Sequence, residues 1–345
     1  MTTTAERPAV PLPPPPARRR PGLRVSGRRS LTAWLFLTPT LLILIAFTVY
    51  PMVQALYLSF TDYNLISAAE WVGIDNYTEL LADGAFWNAF GNTVLYAAVV
   101  TPVTVVLALA FALMLNQAFV GRAFARTAIF LPFIVSLGII AIAWAFLLDP
   151  NIGLLSHWLS LVGIVPEQGW LSDPRYAMVA VMIVGVWKNV GFYMVIYLAG
   201  LQSIPVDMYE AARLDGAGVW QRFRNVTLPL LSNQTLLVSV LALIATLQAF
   251  DQIYVMTRGG PFFRTETLVM LVYREGFQEL RFGYASAISF VLVIFVFILS
   301  MVQFGYLRRK QVTYRWRSRQ RGRPVPASPP GPARPPPHPP AAGAR

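Results

Sequence analysis

Few residues in this sequence are able to carry chemistry, and most do not sit where a catalytic or metal site would need them. The 345 residues include no cysteine and two histidines, His157 and His338. That removes thiolate zinc sites, iron–sulfur clusters, cysteine nucleophiles and any histidine metal cage. The carboxylates Asp62, Glu70, Asp75, Glu79 and Asp83 are scattered through one stretch with no aligned nucleophile, which reads as solvated charge rather than an acid–base pair. His157, beside Trp158, reads as a surface residue. No Gly-x-x-x-x-Gly-Lys-[Ser/Thr] occurs, and neither Lys188 nor Lys310 lies in a glycine-rich loop, so this chain has no phosphate cradle of that kind. Two features remain. One is Lys188, an ionisable residue deep in an apolar run, where an unpartnered charge costs several kcal/mol and is a functional candidate by default. Gly185, Lys188, Asn189 and Phe192 share one helical face at i, i+3, i+4 and i+7. Lys188 either faces a polar path, or it pairs with a backbone carbonyl or reaches toward an interface. The other feature is the polar loop Ser203 to Pro229.

The elements that must position these residues follow from composition. Hydrophobic residues make up 56% and charged residues 13%, against roughly 25% charged in soluble domains, which places the chain in a bilayer. Six stretches carry no charge apart from Lys188: Ser30 to Thr61, Gly84 to Gly121, Thr127 to Leu148, Tyr176 to Val206, Asn225 to Phe250 and Phe282 to Leu307. Each exceeds the roughly 20 residues a helix needs to cross a bilayer, and only closed hydrogen-bonding elements survive in lipid. The expectation is an all-α membrane protein with six transmembrane helices. The stretch from Gly84 reads as one span with a lead-in around Phe86 to Phe90, because Pro102 alone would only kink it.

The net charge of +12 would suit nucleic acid only if the basic residues formed one soluble face. They cluster instead at the two ends, and no nucleic-acid partner is expected. With both termini in the cytoplasm, 22 of the 28 basic residues fall inside and five outside, with Lys188 in a span, as the positive-inside rule requires. Four of those outer five, Arg258, Arg264, Arg274 and Arg281, share the last outer loop with Asp251, Glu266, Glu275 and Glu279, which predicts a folded external segment. Residues 1–30 and 313–345 hold 17 of the 27 prolines and read as disordered cytoplasmic tails rich in Pro and Arg, flanking a transmembrane domain at 31–312. The first apolar run is too long for a secretory signal.

The loop between the fourth and fifth spans has its own logic. Pro205 suits a first helical turn, and Asp207 and Glu210 lie near the helix's positive end. Ala211 and Ala212 keep one face shallow, Gly216 ends the helix, and Pro229 opens the next span. Such a short, rigid helix suits docking into a groove with little side-chain entropy to lose, although an ordinary re-entry loop fits the same residues.

At these positions the chain resembles the EAA loop of binding-protein-dependent ABC importer permeases: Glu210-Ala211-Ala212, Gly216, Val226 and Leu228-Pro229, with Val in place of the usual Ile. Thr38-Pro39, Tyr50-Pro51, Gly73 to Tyr77, Asn92-Thr93, Leu131-Pro132 and Thr257-Arg-Gly259-Gly260-Pro261 are similar to the carbohydrate branch of that family. The resemblance covers about Phe36 to Tyr306. It implies the type I importer fold, a bacterial cytoplasmic-membrane location, and a coupling helix in which Glu210, Ala211, Ala212, Asp215 and Gly216 meet an ATPase. It also implies that Phe133, Gly185, Lys188, Asn189, Phe192, Ala242, Thr246 and Ala249 lie on the substrate path. Thr257, Gly259, Gly260 and Pro261 are assigned by it to an outer gate or to contact with a binding protein.

The implied partners are a second homologous permease in a heterodimer, two ATPase subunits that hold the ATP and Mg, an extracytoplasmic substrate-binding protein, and membrane lipid. This chain itself is expected to carry no cofactor and no enzymatic activity. A neutral sugar or polyol is the expected substrate, with an anion such as glycerol-3-phosphate as the alternative because of Lys188. An ion-coupled secondary carrier is disfavoured, since the spans hold no Asp or Glu apart from Asp251 at an end.

Overall fold

The computed structural model describes residues 27–163, 166 and 168–321. Of the tails expected at 1–30 and 313–345, residues 1–26 and 322–345 lie outside them. The described residues up to Ala55 form a unit of their own. It comprises α1 (Gly27–Leu44), a π-helical turn at Ile45–Val49, and the start of α2 (Tyr50–Leu58). Pro39 sits inside α1. The rest of the chain, from Leu56, forms the second unit.

The second unit opens on a small segment of two short strands and a helix. Strands β1 (Thr61–Asp62) and β2 (Glu70–Trp71) pair antiparallel, and α3 (Asp75–Ala82) follows. Asn76 ties this segment together by donating from Nδ2 to the carbonyls of Ser59 and Thr61, at 3.0 and 2.9 Å. Asp83 then caps α4 (Gly84–Leu115), its carboxylate accepting from the Ala85 amide at 2.8 Å. Helix α4 runs unbroken through Pro102, as expected. At its far end Arg126 donates to the Leu115 carbonyl at 3.1 Å, satisfying a terminal group that the helix cannot.

The third predicted span is not one helix. It divides into α5 (Arg122–Ile134) and α6 (Leu137–Leu147), bent by 100° at extended residues Val135 and Ser136. Pro132 has no amide to donate, which weakens the last turn of α5 and ends it there. Helix α7 (Leu154–Leu161) carries His157, which is exposed, and leads to α8 (Ala177–Gln202). After α8 come α9 (Val206–Leu214), α10 (Val219–Arg222), a π turn at Phe223–Thr227 and α11 (Leu228–Leu230). Next is α12 (Ser232–Leu247), and the fifth predicted span is thereby bent by 68° between the α10–α11 run and α12. Helix α13 (Asp251–Met256), α14 (Leu268–Tyr273) and a π turn at Arg274–Gln278 precede α15 (Phe282–Arg321).

Among the described residues, four helices are thus long and apolar enough to cross a membrane, or up to six if each bent pair is one span. Helical backbone also overruns both expected tail boundaries, beginning at Gly27 and ending at Arg321. Residues 308–321 contain neither Pro nor Gly, and the first proline of that tail is Pro324, so nothing stops the helix earlier.

Close packing of α4, α5 and α8 relies on small residues, as in helix association without an aqueous driving force. Ala108 and Ala112 of α4 are fully buried against Met194 and Tyr197 of α8. A Cβ on Gly191 of α8 would collide with the Ile129 carbonyl and lie 2.8 Å from Phe130 Cα, so the backbones of α8 and α5 touch at a point that only glycine permits.

Candidate functional site: a polar cavity and an exposed helix

Between α4, α8, α12 and α13 lies a cavity of about 360 Å³. Tyr96, Val100 and Thr104 line it from one face of α4, and Lys188, Asn189 and Tyr193 line it from α8. Ala242 and Thr246 of α12 and Ala249 close a third side, joined by Gln248, Asp251 and Gln252. Five of the eight residues expected on a substrate path therefore meet here. Of the other three, Phe133 and Phe192 are stacked behind the wall, with ring centroids 4.5 Å apart and planes at 15°. Gly185 is turned against Tyr96, whose hydroxyl would overlap a Cβ at that position.

Lys188 is held by the break in the third span. Its Nζ donates to the Phe133 carbonyl at 3.2 Å and lies 5.2 Å from the Phe133 ring centroid. That carbonyl is in the last turn of α5, where no helical amide follows to bond it. The lysine therefore has both a backbone acceptor and a position on the cavity. Gln252 donates to the Tyr96 hydroxyl, and Thr246 and Thr101 share a hydrogen bond of 2.8 Å. The wall presents an ammonium, a carboxylate, amides and hydroxyls among apolar side chains, which suits a polyhydroxylated ligand. Tyr96, Thr104, Tyr193, Gln248 and Gln252 are absent from the sequence-level expectation. The signal available for the last two was a polar cluster, Gln248 to Gln252, at the end of an otherwise apolar run.

The second part of the site is the loop helix. Pro205 is the residue before α9 rather than in its first turn, with Asp207 in that turn and Arg213 in the last. Gly216 adopts φ +76°, and the Gly216 and Ala217 amides bond back to Arg213 and Ala212 at 3.0 and 2.9 Å. This is a left-handed stop of the kind glycine favours. Glu210, Ala211, Asp215 and Gly216 are exposed, and Ala212 is half-buried. Leu214, Val219 and Trp220 are also exposed, at 89, 76 and 68%, an apolar display beyond the predicted residues. Leu228 and Pro229 lie in α11, where Pro229 takes an early helical position. The Tyr209 hydroxyl lies 3.1 Å from Thr227 Oγ1, fastening α9 to the π turn that precedes α11.

The segment Asp251 to Arg281, expected on the outer side, is folded. Thr257 bonds Thr265 at 2.7 Å, Gly259 takes φ +83°, and the Thr265 amide donates to the Gly259 carbonyl at 3.1 Å. Asn92 of α4 donates to the carbonyls of Phe263 and Glu266 at 3.0 and 2.9 Å, and Thr93 accepts from the Leu268 amide at 2.8 Å. Asn92-Thr93 thus clamps the segment holding Gly259, Gly260 and Pro261. Two carboxylates read as solvated are not free: Glu79 pairs with Arg281, and Asp83 accepts from the Tyr284 hydroxyl at 2.7 Å as well as capping α4. Buried Glu266 pairs with Arg274 at 3.1 Å. Burial pushes its carboxyl up to about 7 against the pull of Arg274, with Glu275 and Asp83 adding to the rise.

Comparison with known proteins places this architecture. Residues 105–311 match the family described as binding-protein-dependent transport system inner membrane component. The chain is 36% identical over 287 residues to the lactose transport system permease protein LacF of Rhizobium radiobacter, covering 81% of this chain and 95% of that one. It is 33% identical over 293 residues to the sn-glycerol-3-phosphate transport system permease protein UgpA of Yersinia pestis, covering 84 and 97%. Its fold is similar to a chain of a bacterial alginate ABC transporter crystallised with an alginate pentasaccharide-bound periplasmic protein, with a TM-score of 0.73, 24% identity, and coverage of 82 and 96%.

Proposed function

Because the chain belongs to the family of binding-protein-dependent transport system inner membrane components, we propose that it forms the translocation path of an ATP-driven importer for a carbohydrate and transmits ATPase closure through α9. It is a permease subunit and not an enzyme. The observation that carries the coupling role is the exposed helix Val206–Leu214, stopped by left-handed Gly216 and fastened through Tyr209 to the π turn that leads through α11 into α12. Helix α8 enters this loop and α12 leaves it, and both line the polar cavity. A groove on a partner that moved α9 would therefore move two walls of the cavity.

In this reading each bent pair crosses the membrane once, giving six spans with both termini in the cytoplasm, as the distribution of arginine favours. ATP and Mg belong to two separate ATPase chains. A second, homologous permease completes the path, and an external binding protein delivers the substrate to the outer segment around Gly259 and Gly260. Hydroxyls and amides on the cavity wall suit a neutral sugar or polyol. Lys188 on the same wall favours a second reading, an anionic substrate such as a sugar or polyol phosphate, with Asp251 opposing it.

The test is to purify the tagged chain from its native membrane in mild detergent, identify what accompanies it, and measure ATP hydrolysis with loaded binding protein. Co-purification of a second permease and an ATPase, with hydrolysis stimulated by loaded binding protein, is the expected result. Recovery of the chain alone, with uptake driven by an ion gradient, would refute the proposal.

A further inference from the structure

On the side of the α4–α8 pair away from the polar cavity runs a second, larger groove of about 770 Å³. Leu95, Val99, Val103 and Leu107 of α4 form one wall at a four-residue spacing, and Val179 and Ile183 begin the other on α8. From Leu95 to Leu107 the helix rises about 18 Å, close to the depth of one leaflet of a bilayer about 30 Å thick in hydrocarbon. The groove is not apolar throughout. Arg175, just before α8, and Arg264, in the outer segment, line it together with Asn92, so its two cations gather where α8 begins, opposite the loop that carries α9. Both arginines are exposed, and neither forms an ion pair among the described residues. The neighbouring Asp173 directs its carboxylate to the backbone amide of Arg175, at 2.8 Å.

Two cations without partners at the mouth of a leaflet-deep apolar groove match an amphiphile with an anionic head. We propose that this groove is a binding site for an anionic phospholipid, with one acyl chain between α4 and α8 and the phosphate between Arg175 and Arg264. Arg264 belongs to the segment clamped by Asn92, so the bound headgroup bridges that segment to the start of α8. Lipid charge then contributes to holding the outer segment in place.

The test uses the whole assembly extracted in mild detergent, with phosphatidylglycerol and phosphatidylethanolamine of the same acyl chains offered in competition and retained lipid read by native mass spectrometry. Each arginine near an anionic group is worth about five-fold in binding, so R175E/R264E should lose phosphatidylglycerol retention by about thirty-fold. Val103→Trp, which fills the groove and leaves both arginines, should also lose it. Equal retention of the two lipids by the unaltered protein would overturn the proposal, as would unchanged retention in both variants. A photo-crosslinking residue at position 103 adds an independent outcome: capture of lipid supports the site, and capture of a protein helix overturns it.

Discussion

Replacing Glu266 by Gln should make the outer segment indifferent to pH. Glu266 is 1% exposed, and burial, the largest influence, lifts its carboxyl from 4.5 to about 7 despite the Arg274 guanidinium 3.1 Å away. A carboxyl raised in the folded state favours folding only while it is protonated. Its contribution is fully present below about pH 4.5 and is lost as the pH rises through about 7. At about 1.4 kcal/mol per pH unit, the ionised form costs the folded segment about 3 kcal/mol. Hydrogen exchange of peptides covering residues 257–281, corrected for intrinsic rates, reads this as local opening. Between about pH 5 and about pH 8.5 the wild type should open about a hundred-fold more readily, while Glu266→Gln, which keeps an oxygen to accept from Arg274, should change little. The same pH slope in both proteins would show that Glu266 is not the titrating group.

Gly216→Val places a branched side chain at φ +76°, with no atom within 4 Å of its Cβ, so its cost is backbone strain alone, about 1–2 kcal/mol. Membrane insertion should be unchanged, and ATPase stimulation by loaded binding protein should fall. Gly185→Ala should lower substrate uptake by driving a methyl into the Tyr96 hydroxyl, and the added change Tyr96→Phe should restore it by removing that oxygen. Gly191→Val should lower the thermal midpoint of the purified chain, since the Ile129 carbonyl is backbone and cannot yield; overpacking of this kind costs about 1–3 kcal/mol. Asn92→Ala removes two bonds to the Phe263 and Glu266 carbonyls, at about 1 kcal/mol each. Exchange should rise in residues 263–268 and not in α9.

Much of the architecture was legible because apolar length is written directly in the sequence. The unbroken α4, the apolar run that became α8 and the glycine stop after α9 all follow from residue types within a few positions of one another. The bend at Val135–Ser136 was not legible. Pro132 announces a weakness, but those two residues carry no turn signal, and the Phe133 carbonyl beside the bend accepts from Lys188, 55 residues further on. Most of the cavity lining was missed for a related reason. Tyr96 and Gln252 are 156 residues apart, and each alone reads as an ordinary polar residue at helical spacing. The role of Asn92-Thr93 became visible only with the carbonyls and amide it binds, 171 to 175 residues further on.

The hydrogen bond between Tyr209 and Thr227 makes residues 209–227 a closed ring rather than a hanging loop. A hanging loop would absorb an applied force by straightening, and nothing beyond it would move. A ring with a glycine corner and helical sides has little compliance, so load on its tip divides between its two exits, α8 and α12. In the proposed coupling, its stiffness, more than its surface chemistry, would set how much of a partner's stroke arrives at Lys188 and Thr246.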